Sequence, residues 1–179
     1  DCICTTGTDA AVRALGVVCD ALGLPGISEN AGVLATNKRE MKRRFESEGV
    51  CTARFREVST LEELRQAFDL FEKPVICKAV DTSGSRGIIR VDTADDLPHA
   101  FEYVMRSTRQ KYFLVEEFIS GVEFGAQAAV IDGEAQFVMP HGDILYHGKT
   151  DVPIGHYVPY SMSDQVKSLV WTQLDKSIT

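Results

Sequence analysis

Apolar positions along the chain switch between helical and alternating spacing, and the switches outline its elements. Val12, Leu15, Val18, Cys19 and Leu22 recur at helical intervals and stop at Gly23, Pro25 and Gly26. That pattern predicts a helix opened by Thr8 or Asp9, preceded by a short strand over residues 1–5. Asn37 with Glu40, and Thr60 with Glu63, have the spacing of a capping box, in which two otherwise orphaned N–H groups are satisfied reciprocally. They predict one helix to about Ser47, closed by Gly49, and another to about Phe71, where Pro74 forbids continuation. In the first of these, Met41 and Phe45 form the expected buried stripe. Residues 54–58 read as a strand between the two helices.

Residues 75–80 and 87–91 are short β-rich runs around a Gly/Ser loop, the pattern of an antiparallel hairpin. A helix is expected over residues 93–107, with Pro98 tolerated in its first turn. Residues 112–117, 123–131 and 134–141 read as strands, the last two joined by Asp132-Gly133, a strong hairpin signal. Residues 143–159 are rich in Gly, Pro and His and read as loop. Ser161 or Ser163 then caps a final helix running toward Trp171 and Leu174. No internal repeat or low-complexity segment interrupts this order.

A chain of 179 residues can bury roughly 70% of its unfolded surface, enough for one substantial core or two small lobes. The net charge of −7 argues against a general nucleic-acid surface. No apolar run approaches the roughly 20 residues of a membrane span, and the opening lacks the basic-then-apolar order of a signal peptide. Five scattered cysteines suit reduced thiols of a cytoplasmic protein better than a disulfide framework. Cys2 and Cys4 have no second Cys/His pair at matching spacing, so they read as small apolar residues of a buried strand.

The chemistry concentrates between residues 74 and 124. Lys78 lies near the end of an apolar run and is followed by Thr82, Ser83, Gly84, Ser85 and Gly87. The glycines permit close backbone approach and the hydroxyls add donors, an arrangement suited to phosphate oxygens. Glu116 and Glu117 end a strand, where a carboxylate can accept from an exocyclic amine and the following backbone, through Ile119, can meet a ring edge. Glu123 is placed to accept from two sugar hydroxyls. Lys38, Arg39, Lys42, Arg43 and Arg44 form a mostly solvated helix face, from which Lys42 or a neighbour can reach the same phosphates. His141, His147 and His156 match no compact zinc spacing, and with Asp143 they read as loop residues. Neither a P-loop nor a helix-opening G-x-G-x-x-G is present, and the lysine precedes the glycine loop, the reverse of a protein kinase.

Four segments in order, A-L-G-L-P-G, N-K-R-E-M-K-R-R-F, P-V-I-C-K-A-V-D-T-S-G-S-R-G-I and L-V-E-E-F-I-S-G-V-E-F, resemble the ATP-grasp superfamily. The likeness is greatest to its carboxylate–amine ligase branch, which includes biotin carboxylase and the large subunit of carbamoyl-phosphate synthetase. The resemblance implies an α+β fold of two lobes clamping ATP, incomplete at both ends. Residues 1–27 would be the tail of a preceding domain, 28–115 the small lobe and 116–179 the start of the large lobe. It implies that Lys42 and Lys78 bind phosphates and that the loop from Thr82 to Gly87 covers them. Glu116 would meet the adenine amine, Glu117 and Ile119 the ring edge, and Glu123 the ribose. The implied chemistry joins a small carboxylate to an amine through an acyl phosphate with ATP and Mg²⁺, the Mg²⁺ ligands falling outside this chain. A homodimer is a common state of such enzymes. A non-catalytic nucleotide-sensing module of the same fold is the alternative.

Overall fold

The computed structural model describes residues 2–6, 9–147 and 151–178. The chain divides into two units, Asp1–Arg44 with Ala53–Phe118, and Phe45–Thr52 with Ile119–Thr179.

The first unit is built on a four-stranded antiparallel sheet in the order β1-β4-β2-β3, formed by Phe55–Val58, Phe113–Glu117, Val75–Lys78 and Ile88–Val91. Side chains alternate across such a sheet. Val75, Cys77, Phe113 and Val115 face helices α4 (Leu61–Leu70) and α5 (Leu97–Ser107), with Leu64, Phe68 and Val104 completing the main core. The opposite face carries Leu114, packed with Phe55 and Val80, and by the same alternation Lys78 and Glu116. The capping box at Thr60 and Glu63 forms as expected, both reciprocal bonds being present. The β2–β3 hairpin is antiparallel, and Pro98 sits in the first turn of α5 after a short 3₁₀ turn at Ala94–Asp96.

Several expectations are corrected here. Residues 2–6 carry no strand, and Cys2 and Cys4 are exposed rather than buried, because no backbone among the described residues pairs with this segment. Helix α1 (Val12–Leu22) starts from Ala11 without a side-chain cap; the Asp9 carbonyl instead accepts from Val12 N–H in a turn, and Thr8 lies outside the described residues. Gly23 ends α1 in the left-handed conformation, as its position suggested. An unexpected helix, α2 (Glu29–Thr36), follows Ser28, whose Oγ accepts from Ala31 N–H at 3.1 Å. It seats against α1 through Gly32, where a Cβ would come within 2.8 Å of Arg13 Cα. In α3 (Lys38–Glu48) the buried residue is Lys42, while Met41 and Phe45 are only half-buried. Asn37 Oδ1 caps this helix by accepting from Arg39 and Glu40 N–H.

The second unit contains a three-stranded antiparallel sheet, β5 (Phe124–Ile131), β6 (Glu134–His147) and β7 (Asp151–Tyr157), with α6 (Asp164–Ile178) packed on β6 and β5. Asp132 and Gly133, both at positive φ, make the β5–β6 turn. Ser163, not Ser161, caps α6 through its Oγ. The expected loop over residues 143–159 is instead the end of β6 and all of β7, with residues 148–150 outside the described set. Pro153 and Gly155 obscured this strand. Proline is tolerated because β7 is an edge strand and the pairing slips beside it, between Ile144 and Leu145. Among the described residues, every buried apolar side chain belongs to the first unit.

Candidate functional site

Sheet register explains the first contact of the site. Lys78 lies opposite Leu114 and Glu116 opposite Ile76, so lysine and glutamate are diagonal neighbours on one face of β2 and β4. Lys78 Nζ donates to Glu116 Oε2 at 2.8 Å. Lys42 reaches the same carboxylate from α3, with Nζ 3.5 Å from Oε1, while donating to the Ala53 carbonyl at 2.9 Å and lying over the Phe55 ring. Glu116 and Lys42 are 3% and 5% exposed, so their charges meet in a largely water-free setting. Lys78 is more accessible, its side chain 28% exposed.

Lys38, which the charge pattern assigns to a solvated face, instead lies beside this cluster. Lys38 is half-buried, its Nζ donates to the Thr82 carbonyl, and its backbone N–H donates to the Val80 carbonyl. Burial, and then the charge of Lys78, hold its ammonium below the ordinary lysine pKa; the carboxylates of Asp81, Glu116 and Asp9 only partly offset this. The available signal was position: Lys38 immediately follows the Asn37 cap, so its side chain leaves the first turn of α3 rather than the solvated middle. Arg43 does face outward, and both it and the half-buried Arg39, whose guanidinium lies over the Tyr112 ring, pair with Glu57.

The loop between β2 and β3 is a folded turn. Thr82 Oγ1 donates to the Arg86 carbonyl, and Arg86 Nε donates to the Ser83 carbonyl. Gly84 and Ser85 have φ of 64° and 57°, and nothing lies within 4 Å of where a Gly84 Cβ would be. Gly87 differs. At φ 66°, a Cβ there would stand 2.7 Å from the Cβ atoms of both Ala79 and Ser107, so the residue serves packing as well as any ligand. Asp81 anchors the loop's base by accepting from Thr108 Oγ1 and Arg109 N–H.

The structure thus brings Lys38, Lys42, Lys78, Glu116 and the Thr82–Gly87 turn together within one unit. Glu117 lies on the same sheet, but its carboxylate is taken by Arg54, which holds its pKa down through backbone and side-chain bonds. The Glu117 N–H is likewise taken by the Arg54 carbonyl. Ile119 and Glu123 belong to the second unit, both exposed, and β5 begins one residue after Glu123. Cys77 is sealed under the sheet, and burial pushes its thiol up to about 12, which leaves it without nucleophilic character. All five cysteines are free thiols.

The described residues of the second unit include a further polar cluster. Asp143 Oδ1 lies 3.0 Å from His141 Nδ1 and 2.7 Å from His156 Nδ1. The hydrogen bond to His156, then that to His141, holds Asp143 below the usual carboxylate range against the opposing effect of desolvation. No helix among the described residues is long and apolar enough to cross a membrane.

An α+β chain with a donor-rich hairpin turn and converging lysines has the architecture of the ATP-grasp class, and comparison with solved structures bears this out. The chain superposes on phosphoribosylglycinamide synthetase from Anaerococcus prevotii with a TM-score of 0.71 and 37% identity, covering 96% of this chain and 42% of that one. Residues 36–152 match the family described as phosphoribosylglycinamide synthetase, ATP-grasp (A) domain, and the chain belongs to that family of ATP-grasp ligases. Among curated relatives, it is 36% identical over 132 residues to D-alanine–D-alanine ligase of Hydrogenovibrio crunogenus, covering 72% of this chain and 40% of the relative. It is 25% identical over 179 residues to alanine–anticapsin ligase of Bacillus subtilis, covering 94% of this chain and 36% of the relative. The chain therefore spans well under half the length of these relatives.

Proposed function

We propose that this chain is the nucleotide-phosphate-binding part of an ATP-dependent carboxylate–amine ligase. The observation that carries the reading is the lysine cluster. Lys42 and Lys78 share the single buried carboxylate of Glu116, and Lys38 lies close enough to Lys78 for its protonation to be disfavoured. An anion beside Lys38 and Lys78 relieves that repulsion, and the polyphosphate of ATP suits a site edged by a turn with backbone and hydroxyl donors. In this reading Lys78 and Lys38 contact phosphate oxygens. Lys42 and Glu116 hold Lys78 in place, and the Glu116 carboxylate has lone pairs beyond those its lysines use, which are open to an adenine amine. The Thr82–Gly87 turn covers the phosphates.

The reaction proposed for the whole protein is transfer of the γ-phosphoryl group to a substrate carboxylate, releasing ADP. An amine then attacks the acyl carbon, the amide bond forms, phosphate leaves and the amine gives up a proton. Catalysis of this kind rests on positioning and charge neutralisation. Mg²⁺ is expected in such chemistry. The single three-residue cluster found among the described residues offers two imidazoles and one carboxylate, a poor match for an ion that prefers oxygen donors, so no step is assigned to Mg²⁺ through this chain.

Calorimetric titration of the chain with ATP tests the phosphate assignment. Lys78→Ala removes a charge-assisted bond worth about 1.5–3 kcal/mol, an affinity loss of roughly 10- to 150-fold. Unchanged affinity in a folded variant overturns the assignment. A second expectation concerns protons. Because Lys38 sits below its ordinary pKa in the free chain, a bound anion that restores its charge makes binding take up protons. Affinity then falls as pH rises through the free-chain value, and titrations in buffers of different ionisation enthalpy read the uptake directly. Zero uptake across that range removes Lys38 from the site.

A further inference from the structure

We infer that the β6–β7 hairpin carries a binding site for a divalent transition-metal ion of the zinc class, formed by His141, Asp143 and His156. The placement follows from strand geometry. His141 and Asp143 are two residues apart on β6 and therefore share a face, and Asp143 stands directly opposite His156 on β7. Three potential ligands are thus gathered by two adjacent strands, with no loop to order. One ligand atom from each residue falls within a set whose members lie no more than 4.8 Å apart.

The rings are oriented as well as close. His141 lies opposite Gly125 on β5, and its ring occupies the space a side chain there would fill: a Cβ on Gly125 would come within 2.3 Å of the imidazole. Glycine at this position lets the ring lie flat against the neighbouring strand with Nδ1 turned to Asp143 at 3.0 Å. His141 is 8% exposed, which fixes its rotamer, whereas the His156 side chain is 55% exposed and leaves the cluster open on one side. The two rings meet edge to face with centroids 4.7 Å apart, so both Nδ1 atoms converge on Asp143 Oδ1.

An ion held about 2.0–2.2 Å from nitrogen and oxygen ligands needs those atoms separated by roughly 3.0–3.5 Å. The 3.0 Å separation already meets this; the exposed His156 ring must turn both to lengthen its 2.7 Å contact with Asp143 and to bring its nitrogen, within 4.8 Å of that of His141, to ligand spacing. With the ion bound, each imidazole carries its proton at Nε2 and the carboxylate becomes a ligand instead of a hydrogen-bond acceptor. Two nitrogens and one oxygen select zinc, cobalt or nickel over magnesium or calcium. Three protein ligands leave at least one coordination position for water or a substrate oxygen. The site depends only on the second unit and is independent of the lysine cluster.

Titration of the metal-free chain with Co²⁺, followed by visible absorption and by displacement with Zn²⁺, tests the inference. The wild-type chain is expected to develop ligand-field bands without a sulfur-to-cobalt charge-transfer band, and to do so equally as a Cys2→Ser/Cys4→Ser variant. His156→Gln and Asp143→Asn should each weaken binding by at least roughly 10-fold, since even the outer-shell partners of metal ligands are worth about that much. His156 is exposed, so its replacement leaves the fold intact, which circular dichroism verifies. Absence of ligand-field bands, equal affinity in both variants, or a sulfur charge-transfer band lost with Cys2 and Cys4 would each overturn the site.

Discussion

Replacing Glu116 with glutamine is expected to destabilise the chain by about 3–5 kcal/mol, the cost of taking one partner from a buried ion pair. The substitution keeps side-chain volume and changes the charge. Lys42 keeps its bond to the Ala53 carbonyl, but loses the carboxylate 3.5 Å away in a setting where its side chain is 6% exposed. Lys78 loses a 2.8 Å partner as well, although its greater exposure lets water compensate. The pair as a whole need not add stability, because the Coulombic gain of a buried pair roughly repays its desolvation. Lys42→Met combined with Glu116→Leu should therefore recover most of the loss seen with Glu116→Gln alone. Urea unfolding of the single and double variants reads the coupling. A Glu116→Gln variant with an unshifted midpoint would mean that this carboxylate does not hold the lysines.

The second large effect is expected at Gly87. Alanine there combines a left-handed backbone, costing on the order of 1–3 kcal/mol, with overpacking of about 1–3 kcal/mol against Ala79 and Ser107. A total loss of about 2–6 kcal/mol should appear in the unfolding midpoint before any nucleotide is added. Gly84→Ala provides the contrast. It has a comparable φ but open space around it, so only the backbone cost applies. If the two substitutions destabilise equally, the packing role given to Gly87 is wrong. The two glycines of one loop thus have separate physical reasons to be glycine. Sequence inspection treats them alike.

The elements that could be read from sequence are those specified by local signals. Thr60 with Glu63 forms its capping box, Asp132-Gly133 makes its hairpin, and Pro98 sits where a proline can sit. What could not be read was set by long-range pairing. Residues 2–6 have strand-like composition but no ladder partner among the described residues. β7 has the Pro and Gly of a loop and is a strand because β6 pairs with it. The site follows the same division. Lys78 and the glycine loop were visible as a motif, whereas the sharing of Glu116 by two lysines depends on a sheet register and a helix placement that no local pattern encodes. Lys42 is the buried residue of its helix, which the run of basic residues around it gives no sign of. The His141–Asp143–His156 group was invisible for the same reason, since Asp143 and His156 stand 13 positions apart in sequence until the strands pair.

The uneven distribution of the core has a consequence for how the molecule opens. Among the described residues, buried apolar side chains lie in the first unit, mostly in the sheet and helices around Phe113 and Leu64, while the β5–β7 sheet presents Ile131, Phe137, Ile144 and Ile154 to solvent. Local opening costs least where little apolar surface is covered. Amide hydrogens of β5, β6 and β7 are therefore expected to exchange with solvent by partial unfolding and those of β4 only with global unfolding, an order that native-state hydrogen exchange reads. A ligand that ties β6 to β7 would slow the former and leave the latter unchanged.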